Sequence, residues 1–300
     1  MLLGIGDDAA VLAPGREPLV WTVDCAVEGV HFRRDLLGFE DLGYRATMAA
    51  ASDLAAMGAA PLGLLAALVL PDDLDDDDLA AIARGQRAAC DALGTAILGG
   101  NLARGGELSI TTTALGVAPA PLRRDGARPG DELALAGPVG LAAAGLRLLD
   151  RGPRGDAGDA GDPGAVERAI QAFRRPLARI DAGLRARTSA SAAIDISDGL
   201  AADLTHLASA SGVRAVLDRE ALLTPDLVAV AELLGADALE LALHGGEDYA
   251  LVVAGRDAGA LPGFVIIGRC APREDGESEV ALRDAEGVIP VSPAGFDHFR

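Results

Sequence analysis

The chain has 300 residues, a net charge of −19 and a hydrophobic content of 50%, yet only 3% of its residues are aromatic. A chain of this length accommodates two domains. Because aromatic residues are rare, aliphatic side chains must fill their cores, and this composition favours an α/β protein. The strong negative charge argues against nucleic-acid binding, because a phosphate backbone repels such a surface.

The first half of the chain predicts alternating strands and helices. The predicted elements are a buried strand at residues 19–23, helices at 39–57 and 74–93, a strand at 95–98 that runs into Gly99-Gly100-Asn101, and a β-rich stretch at 108–117. Residues 119–121 resemble a linker. The first helix is apolar nearly all round, so it should be buried together with its Asp53.

The second half predicts a new series of strands and helices. Strands are expected at residues 132–136, 192–196, 249–253 and 264–268, and helices at 141–149 and 200–210. The stretch 151–164 is rich in Gly, Asp and Pro and predicts a surface loop, with two helical segments after it. Thr224-Pro225 is a strong helix start, with Thr as the capping residue and Pro at the first helical position.

The three cysteines indicate a reducing cellular environment. Cys25, Cys90 and Cys270 are odd in number and far apart, so they form neither a disulfide framework nor a zinc pattern. We find no signal peptide, and the apolar stretch 61–71 is too short to span a bilayer. We therefore expect a cytoplasmic protein without a membrane partner.

Carboxylates recur at positions where a metal would bind. Three predicted strands end in polar residues, namely Asp24, Asn101, and Asp195 with Asp198. Ligands gather at the carboxyl ends of strands in α/β sheets. A single ending of this kind is usually an ordinary turn, so a shared site and simple turn capping both remain open. A buried carboxylate is costly unless it is paired or binds a metal, and oxygen ligands suit Mg²⁺.

The absence of Lys narrows the chemistry of a nucleotide enzyme. All 26 residues counted as Lys plus Arg are Arg. P-loop enzymes and protein kinases both place a Lys on the nucleotide phosphates, so neither class fits this chain. Metal ions held by carboxylates, with help from Arg and backbone amides, remain as the way to offset phosphate charge.

Motifs along the whole chain resemble those of the thiamine-monophosphate kinase family, within the aminoimidazole ribonucleotide synthetase-like superfamily. The matching stretches are Gly4-Ile5-Gly6-Asp7-Asp8, Thr22-Val23-Asp24, Val27-Glu28-Gly29-Val30-His31-Phe32, Ser52-Asp53-Leu54-Ala55-Ala56-Met57-Gly58, Gly99-Gly100-Asn101, Arg128-Pro129-Gly130-Asp131, Asp195-Ile196-Ser197-Asp198-Gly199-Leu200, His244-Gly245-Gly246-Glu247-Asp248-Tyr249 and Phe296-Asp297-His298-Phe299. Each is weak alone, but together they occur in the family's order.

This resemblance implies a fold and an activity. The fold has two α/β domains, at residues 1–119 and 120–300, with the N-terminal sheet pairing across a homodimer into a barrel and ATP bound between the domains. The activity is transfer of the γ-phosphate of ATP to thiamine monophosphate, which gives thiamine diphosphate. The acceptor phosphate has a second pKa of about 6, so it is mostly a dianion at neutral pH and needs no general base.

The resemblance also implies roles for individual residues. Ligands of several Mg²⁺ ions are expected at Asp8, Thr22, Val23 (through its carbonyl), Asp24, Asp53, Asn101, Asp195 and Asp198. ATP contacts are expected at Gly100, Asn101, Arg124 and Ser197. Thiamine monophosphate contacts are expected at His31, Glu247 and Phe296, and a carboxylate with an aromatic face suits a cationic thiazolium. Without the resemblance, a structural role is the favoured interpretation of His31, and Phe296 would be interpreted as a packing residue.

Two departures from the family keep alternatives open. The family usually has Gly-Gly-Asp-Thr where this chain has Gly99-Gly100-Asn101-Leu102, so one metal should bind more weakly. The family also usually has a helix before Gly-Ile-Gly-Asp-Asp, which this sequence lacks. The alternatives are a selenophosphate synthetase-like enzyme, which needs a reactive Cys near its start whereas none precedes Cys25, and a non-catalytic nucleotide-binding homologue.

Overall fold

The computed structural model describes residues 15–152 and 162–293. Asp8 and Phe296, which the sequence assigns to metal and substrate, lie outside these described residues. The chain divides into two compact units. The first holds the described residues as far as Leu54 together with Ala59–Pro121, and the second holds Ala55–Gly58 and the described residues from Leu122 onward.

The first unit is a sheet with two helices. Its elements are β1 (Leu19–Val27), α1 (Phe39–Ala56), β2 (Ala60–Leu70), α2 (Asp76–Leu93), β3 (Ile97–Arg104) and β4 (Ser109–Val117). Within the described ranges its four strands lie in the order β1-β4-β2-β3. Strands β2 and β3 are parallel, and the other neighbours are antiparallel.

The two helices of the first unit form for the reasons that their sequences indicate. Leu42, Met48 and Leu54 of α1 are each at most 1% exposed, which confirms that this helix is buried. Helix α2 begins after Asp75, whose side chain accepts hydrogen bonds from the backbone N–H groups of Asp77 and Asp78. It ends at Gly94 in the left-handed conformation.

Two expectations about the strands of the first unit are wrong. Residues 19–23 are not a buried strand that ends at Asp24, because β1 continues to Val27 and Trp21 is 73% exposed. The strand expected at residues 95–98 does not end at Gly99-Gly100-Asn101, because β3 runs through these residues to Arg104. Asp24 and Asn101 therefore lie within strands, and only Asp195 with Asp198 marks a strand end.

The second unit is a mixed sheet with helices. Its elements are β5 (Glu132–Ala136), α3 (Leu141–Asp150), α4 (Pro163–Arg174), α5 (Ile180–Ala186), β6 (Ala192–Ile196), α6 (Leu200–Ser211), β7 (Val213–Asp218), α7 (Arg219–Leu222), α8 (Pro225–Leu234), α9 (Ala238–His244), β8 (Ala250–Gly255), β9 (Val265–Pro272), β10 (Val280–Asp284) and β11 (Gly287–Pro290). In the part of the chain that the structure describes, seven strands lie in the order β11-β10-β7-β9-β5-β8-β6.

The central strands of this second sheet are buried on both faces. Leu133 and Leu135 of β5 belong to the larger apolar core, whereas Ala134 and Ala136 belong to a separate core on the opposite face. This double burial accounts for strands that are apolar without alternation. No helix within residues 15–152 and 162–293 is both long and apolar enough to cross a membrane.

Candidate functional site

In the first unit, the structure brings Thr22 of β1 together with Asp53 of α1. The Thr22 hydroxyl donates a hydrogen bond to Oδ2 of Asp53. Asp24 lies two residues further along β1, and alternate residues of a strand point to the same face. Asp24 is exposed and accepts a hydrogen bond from the Cys25 N–H at 2.7 Å. A hydroxyl and two carboxylates thus share one side of the sheet, while Val23 between them is 62% exposed.

His31 lies in a tight turn that follows β1. The Val27 N–H donates to His31 Nδ1 at 3.1 Å, and the His31 N–H donates back to the Val27 carbonyl at 2.9 Å. Because Nδ1 accepts a hydrogen bond, the neutral ring carries its proton on Nε2. The hydrogen bond at Nδ1 therefore holds the imidazole in one orientation.

Glu28 has a structural role in the same turn. Its Oε1 accepts from Arg34 Nε at 2.6 Å, and the Leu108 N–H donates to its Oε2 at 3.4 Å. Arg34 also binds Asp73 at 2.9 Å. Glu28 therefore ties the His31 turn to the start of β4 and to the loop before α2.

Gly100 and Asn101 lie on β3, in register with Ala66 and Ala67 of β2. A Cβ atom on Gly100 would stand 1.9 Å from the Ala66 carbonyl oxygen, so a larger residue does not fit without a shift of the strand. The Asn101 side chain is exposed. Glycine is required here because two strands approach closely. In the sequence alone, a pair of glycines is more typical of a turn.

In the second unit, the segment after β6 carries a carboxylate cluster that includes one residue the sequence reasoning missed. Asp195 is 6% exposed and Asp203, on α6, is 5% exposed. Oδ2 of Asp203 accepts hydrogen bonds from the Ser197 N–H at 3.0 Å and the Asp198 N–H at 3.1 Å. Asp203 therefore holds the backbone of the two residues to which the sequence assigned nucleotide and metal contacts.

The electrostatics of this cluster favour a cation. Burial, and after it the neighbouring Asp195 and Asp198 carboxylates, raises the pKa of Asp203 to about 7, although the two backbone N–H bonds act to lower it. Within the described ranges we find no ion pair between Asp203 and an Arg. Several carboxylates thus lie close together without a basic partner for Asp203, which is an environment that a divalent cation stabilises.

The loop between α9 and β8 places Glu247 beside Ser197. The Glu247 N–H donates to the Ser197 carbonyl at 2.6 Å, and the Tyr249 N–H donates to the Ile196 carbonyl at 2.9 Å. Glu247 has φ of 59° and Tyr249 has φ of 47°, a left-handed conformation that costs about 1–2 kcal/mol for each residue with a side chain. Two strained positions so close together, one of them a predicted substrate-contact residue, are typical of a functional loop.

The backbone that carries Arg124 is anchored near the start of β6, whereas Ser197 follows the end of that strand. The loop that carries Arg124 is anchored by a hydrogen bond from the Ala193 N–H to the Arg123 carbonyl at 3.0 Å, and by the Ser211 hydroxyl, which donates to the Arg124 carbonyl at 2.6 Å. Ala193 and Ser197 are four residues apart on and after β6, a rise of about 13 Å. Arg123 pairs with Asp125 at 2.5 Å, whereas in the described ranges Arg124 has no ion pair.

No complete metal site is assembled in the parts of the chain that the structure describes. Among those residues, no three or more His, Cys, Asp or Glu side chains are grouped so that they could hold a metal ion. The predicted ligands are divided between the units, with Thr22, Asp24 and Asp53 in the first and Asp195 and Asp198 in the second. Both sets consist of oxygen donors, so their chemistry fits Mg²⁺.

Comparison with known proteins identifies first the class and then the family. Residues 6–118 match the family described as AIR synthase related protein, N-terminal domain. The solved structure of AaThiL complexed with AMPPCP and TMP superposes with a TM-score of 0.85 at 34% identity, covering 98% of this chain and 92% of that chain. The chain therefore has the two-sheet α/β fold of AIR synthase-related proteins.

Two relatives define the family more closely. The thiamine-monophosphate kinase of Salmonella typhimurium is 38% identical over 309 residues, covering 99% of this chain and 91% of the relative. That of Aquifex aeolicus is 34% identical over 300 residues, covering 98% of this chain and 92% of the relative. The chain belongs to the thiamine-monophosphate kinase family.

Proposed function

We infer that this chain phosphorylates thiamine monophosphate to thiamine diphosphate with ATP as the phosphoryl donor. The observation that carries this conclusion is similarity to thiamine-monophosphate kinases at 34–38% identity over nearly the whole chain. It favours the kinase over the selenophosphate synthetase-like alternative. The geometry supports it, because the hydrogen bond from Glu247 to Ser197 joins the expected acceptor contact to the expected ATP contact.

The reaction is a direct in-line transfer. An oxygen of the acceptor phosphate forms a bond to the γ-phosphorus of ATP, and the bond from that phosphorus to the β,γ-bridging oxygen breaks, which releases ADP. The acceptor is already mostly a dianion, so no side chain needs to remove a proton. The protein must align the two phosphates and offset their charge.

The family resemblance assigns contacts with the two substrates to individual residues. ATP would be held by Gly100, Asn101, Arg124 and Ser197, and thiamine monophosphate by His31 and Glu247, with Phe296 outside the described residues. The unpaired state of Arg124 within the described ranges, beside an Arg123 that is already engaged, supports a phosphate contact for Arg124. The hydrogen bond at His31 Nδ1 fixes the orientation of the ring, which supports its assignment as a contact of the acceptor phosphate.

Mg²⁺ would be held by Asp8, Thr22, the Val23 carbonyl, Asp24, Asp53, Asn101, Asp195 and Asp198. When bound, it offsets the charge of the triphosphate and of the acceptor phosphate. The contact between Thr22 and Asp53 supports the ligands of the first unit. The acidic environment of Asp203 supports Asp195 and Asp198. Asn101 would contribute a neutral oxygen, so its metal should bind more weakly than with a carboxylate.

The working form would be a homodimer. The first sheet exposes an apolar face on β1 and β2 that includes Leu19 at 61%, Trp21 at 73%, Val23 at 62% and Leu65 at 42% exposure. Large apolar patches are uncommon on monomeric proteins and mark interaction surfaces. We place a second copy of this face on it, as in a barrel of two sheets. We also propose domain limits of 1–119 and 120–300, which the division into two units supports. The proposed location is the cytoplasm.

The decisive experiment is turnover by the purified protein. With ATP, Mg²⁺ and thiamine monophosphate, we expect equal amounts of ADP and thiamine diphosphate, separated by chromatography. Addition of EDTA should abolish the reaction, and excess Mg²⁺ should restore it. Asp198→Asn should lower kcat by orders of magnitude, because it removes a charge from the proposed metal site while leaving the isosteric side chain.

Two controls separate the alternatives. Unphosphorylated thiamine should give no product, because it lacks the attacking phosphate oxygen. ATP binding without any thiamine diphosphate would identify a non-catalytic homologue, and activity that persists in EDTA would remove the metal proposal while leaving the kinase assignment in place.

A further inference from the structure

We propose that Asp248 is the positioning residue that holds Glu247 in place and thereby sets the affinity for the acceptor substrate. This inference rests on the proposed function, in which Glu247 contacts thiamine monophosphate. Asp248 itself lies outside that contact set. It is 6% exposed, so it is not placed to meet a substrate directly.

The first argument is the conformation of the loop. Gly246, Glu247 and Tyr249 all have positive φ, at 69°, 59° and 47°. Two of these residues carry side chains that disfavour this conformation, so the loop needs outside contacts to maintain it. Asp248 lies between the two strained residues and is the natural place for such a contact.

The second argument is what the Asp248 side chain binds. Its Oδ2 accepts from the Gly140 N–H at 2.6 Å, and its Oδ1 accepts from the Ala142 N–H at 3.1 Å. These donors belong to the first turn of α3, where backbone N–H groups have no partner within the helix. Gly140, the N-cap residue, has no side chain to satisfy them, so the cap comes from a residue more than one hundred positions away.

The third argument is that this anchorage and the Ser197 contact act on opposite sides of the same residue. The Glu247 N–H is bonded to the Ser197 carbonyl, while the next side chain along is bonded to α3. Glu247 is thus held between the β6–α6 segment and α3. Loss of the Asp248 anchorage frees the loop on one side and lets Glu247 relax to an unstrained conformation, away from its substrate-contact position.

The test compares removal of this long-range cap with removal of a local one. Asp248→Ala removes both acceptors, and Asp248→Asn retains one carbonyl oxygen. Thr224→Ala is the matched control, because Thr224 caps α8 in the same unit by accepting from the Leu227 N–H. We expect Asp248→Ala to raise KM for thiamine monophosphate at least tenfold and KM for ATP less than threefold, with Asp248→Asn intermediate and Thr224→Ala unchanged in both.

A second readout does not depend on activity. Hydrogen–deuterium exchange of a peptide that covers residues 245–250 should accelerate in Asp248→Ala and Asp248→Asn but not in Thr224→Ala, because only the first two release the Glu247 and Tyr249 amides. If Asp248 acts through Glu247, the effect of Asp248→Ala on acceptor KM should largely disappear in a Glu247→Gln background.

The outcomes are distinguishable. Unchanged exchange in both Asp248 variants, or equal rises in KM for ATP and acceptor, overturns the inference. An unchanged acceptor KM in Glu247→Gln overturns the proposed acceptor contact instead, while accelerated exchange would still establish that Asp248 holds the loop. Should Asp248→Ala fail to fold, Asp248→Asn carries the same measurements.

Discussion

Asp203 is the residue on which the second unit's cluster depends, and nothing in its sequence context marks it. It lies in the first turn of α6 among Leu200, Ala201 and Leu204, where an acidic residue usually serves the helix dipole. Asp195 and Asp198 could be recognised, because they flank a strand end within a family motif. The role of Asp203 could be identified only from the structure. Its two backbone donors precede the helix, and they contact the Asp203 side chain only because the chain turns between β6 and α6.

The hydrogen bonds of Asp203 predict opposite results for two substitutions. Asp203→Leu leaves two partly buried N–H groups without an acceptor, and should lower the free energy of unfolding by about 1–3 kcal/mol. Asp203→Asn keeps an oxygen that can accept both bonds and removes the repulsion with Asp195 and Asp198, so stability in EDTA should match or exceed that of the native chain. Urea unfolding of all three proteins at one pH measures this difference. Equal destabilisation by Asn and Leu would show that the charge of Asp203, and not its hydrogen bonds, maintains the segment.

At the scale of elements, the sequence predicts the helices better than the strands that carry the first unit's candidate ligands. The helix expected at residues 39–57 is α1 at Phe39–Ala56, because the apolar character of its residues is a local property of the sequence. In strand β1 the more apolar face, which carries Leu19, Trp21 and Val23, is the exposed one, so the alternation in its sequence does not show which face is buried. Strand β2 was not assigned, since an apolar stretch such as residues 60–70 lacks a period that distinguishes strand from helix.

Strand β3 shows how a close approach can resemble a turn. Gly100 is required because its Cβ would meet the Ala66 carbonyl, a constraint from a strand more than thirty residues earlier. Gly100→Ala should therefore lower the free energy of unfolding by about 1–3 kcal/mol through overpacking. Gly106→Ala is the matched control, because nothing lies within 4 Å of the added Cβ and the effect should stay within about 0.5 kcal/mol. Denaturant midpoints at constant m-value provide the measurement, and similar shifts for both variants would contradict the close approach.

For the whole molecule, the proposed homodimer can be tested by fluorescence, because the single Trp of the chain lies on the face where the second copy would bind. Trp21 is on the exposed apolar face of the first sheet, so dimerisation through this face should move its emission to shorter wavelength. Dilution should shift the emission back as the dimer dissociates, in step with the mass measured by sedimentation equilibrium. Burial of Leu19, Trp21, Val23 and Leu65 would contribute the driving force, because each loses apolar surface that water otherwise contacts.

Substitution of this face supplies the sharper test of the dimer. Trp21→Glu should give a monomer with an unchanged circular dichroism spectrum, because the side chain is solvent-exposed in the single chain and its replacement leaves no cavity. Val265→Glu is the control: Val265 is 63% exposed on β9 of the second unit, so it tests whether any exposed apolar residue has the same effect. A dimer that survives Trp21→Glu, or that Val265→Glu disrupts equally, would place the interface elsewhere. A native monomer whose Trp emission is already at short wavelength would show that residues of the same chain, and not a second copy, cover this face.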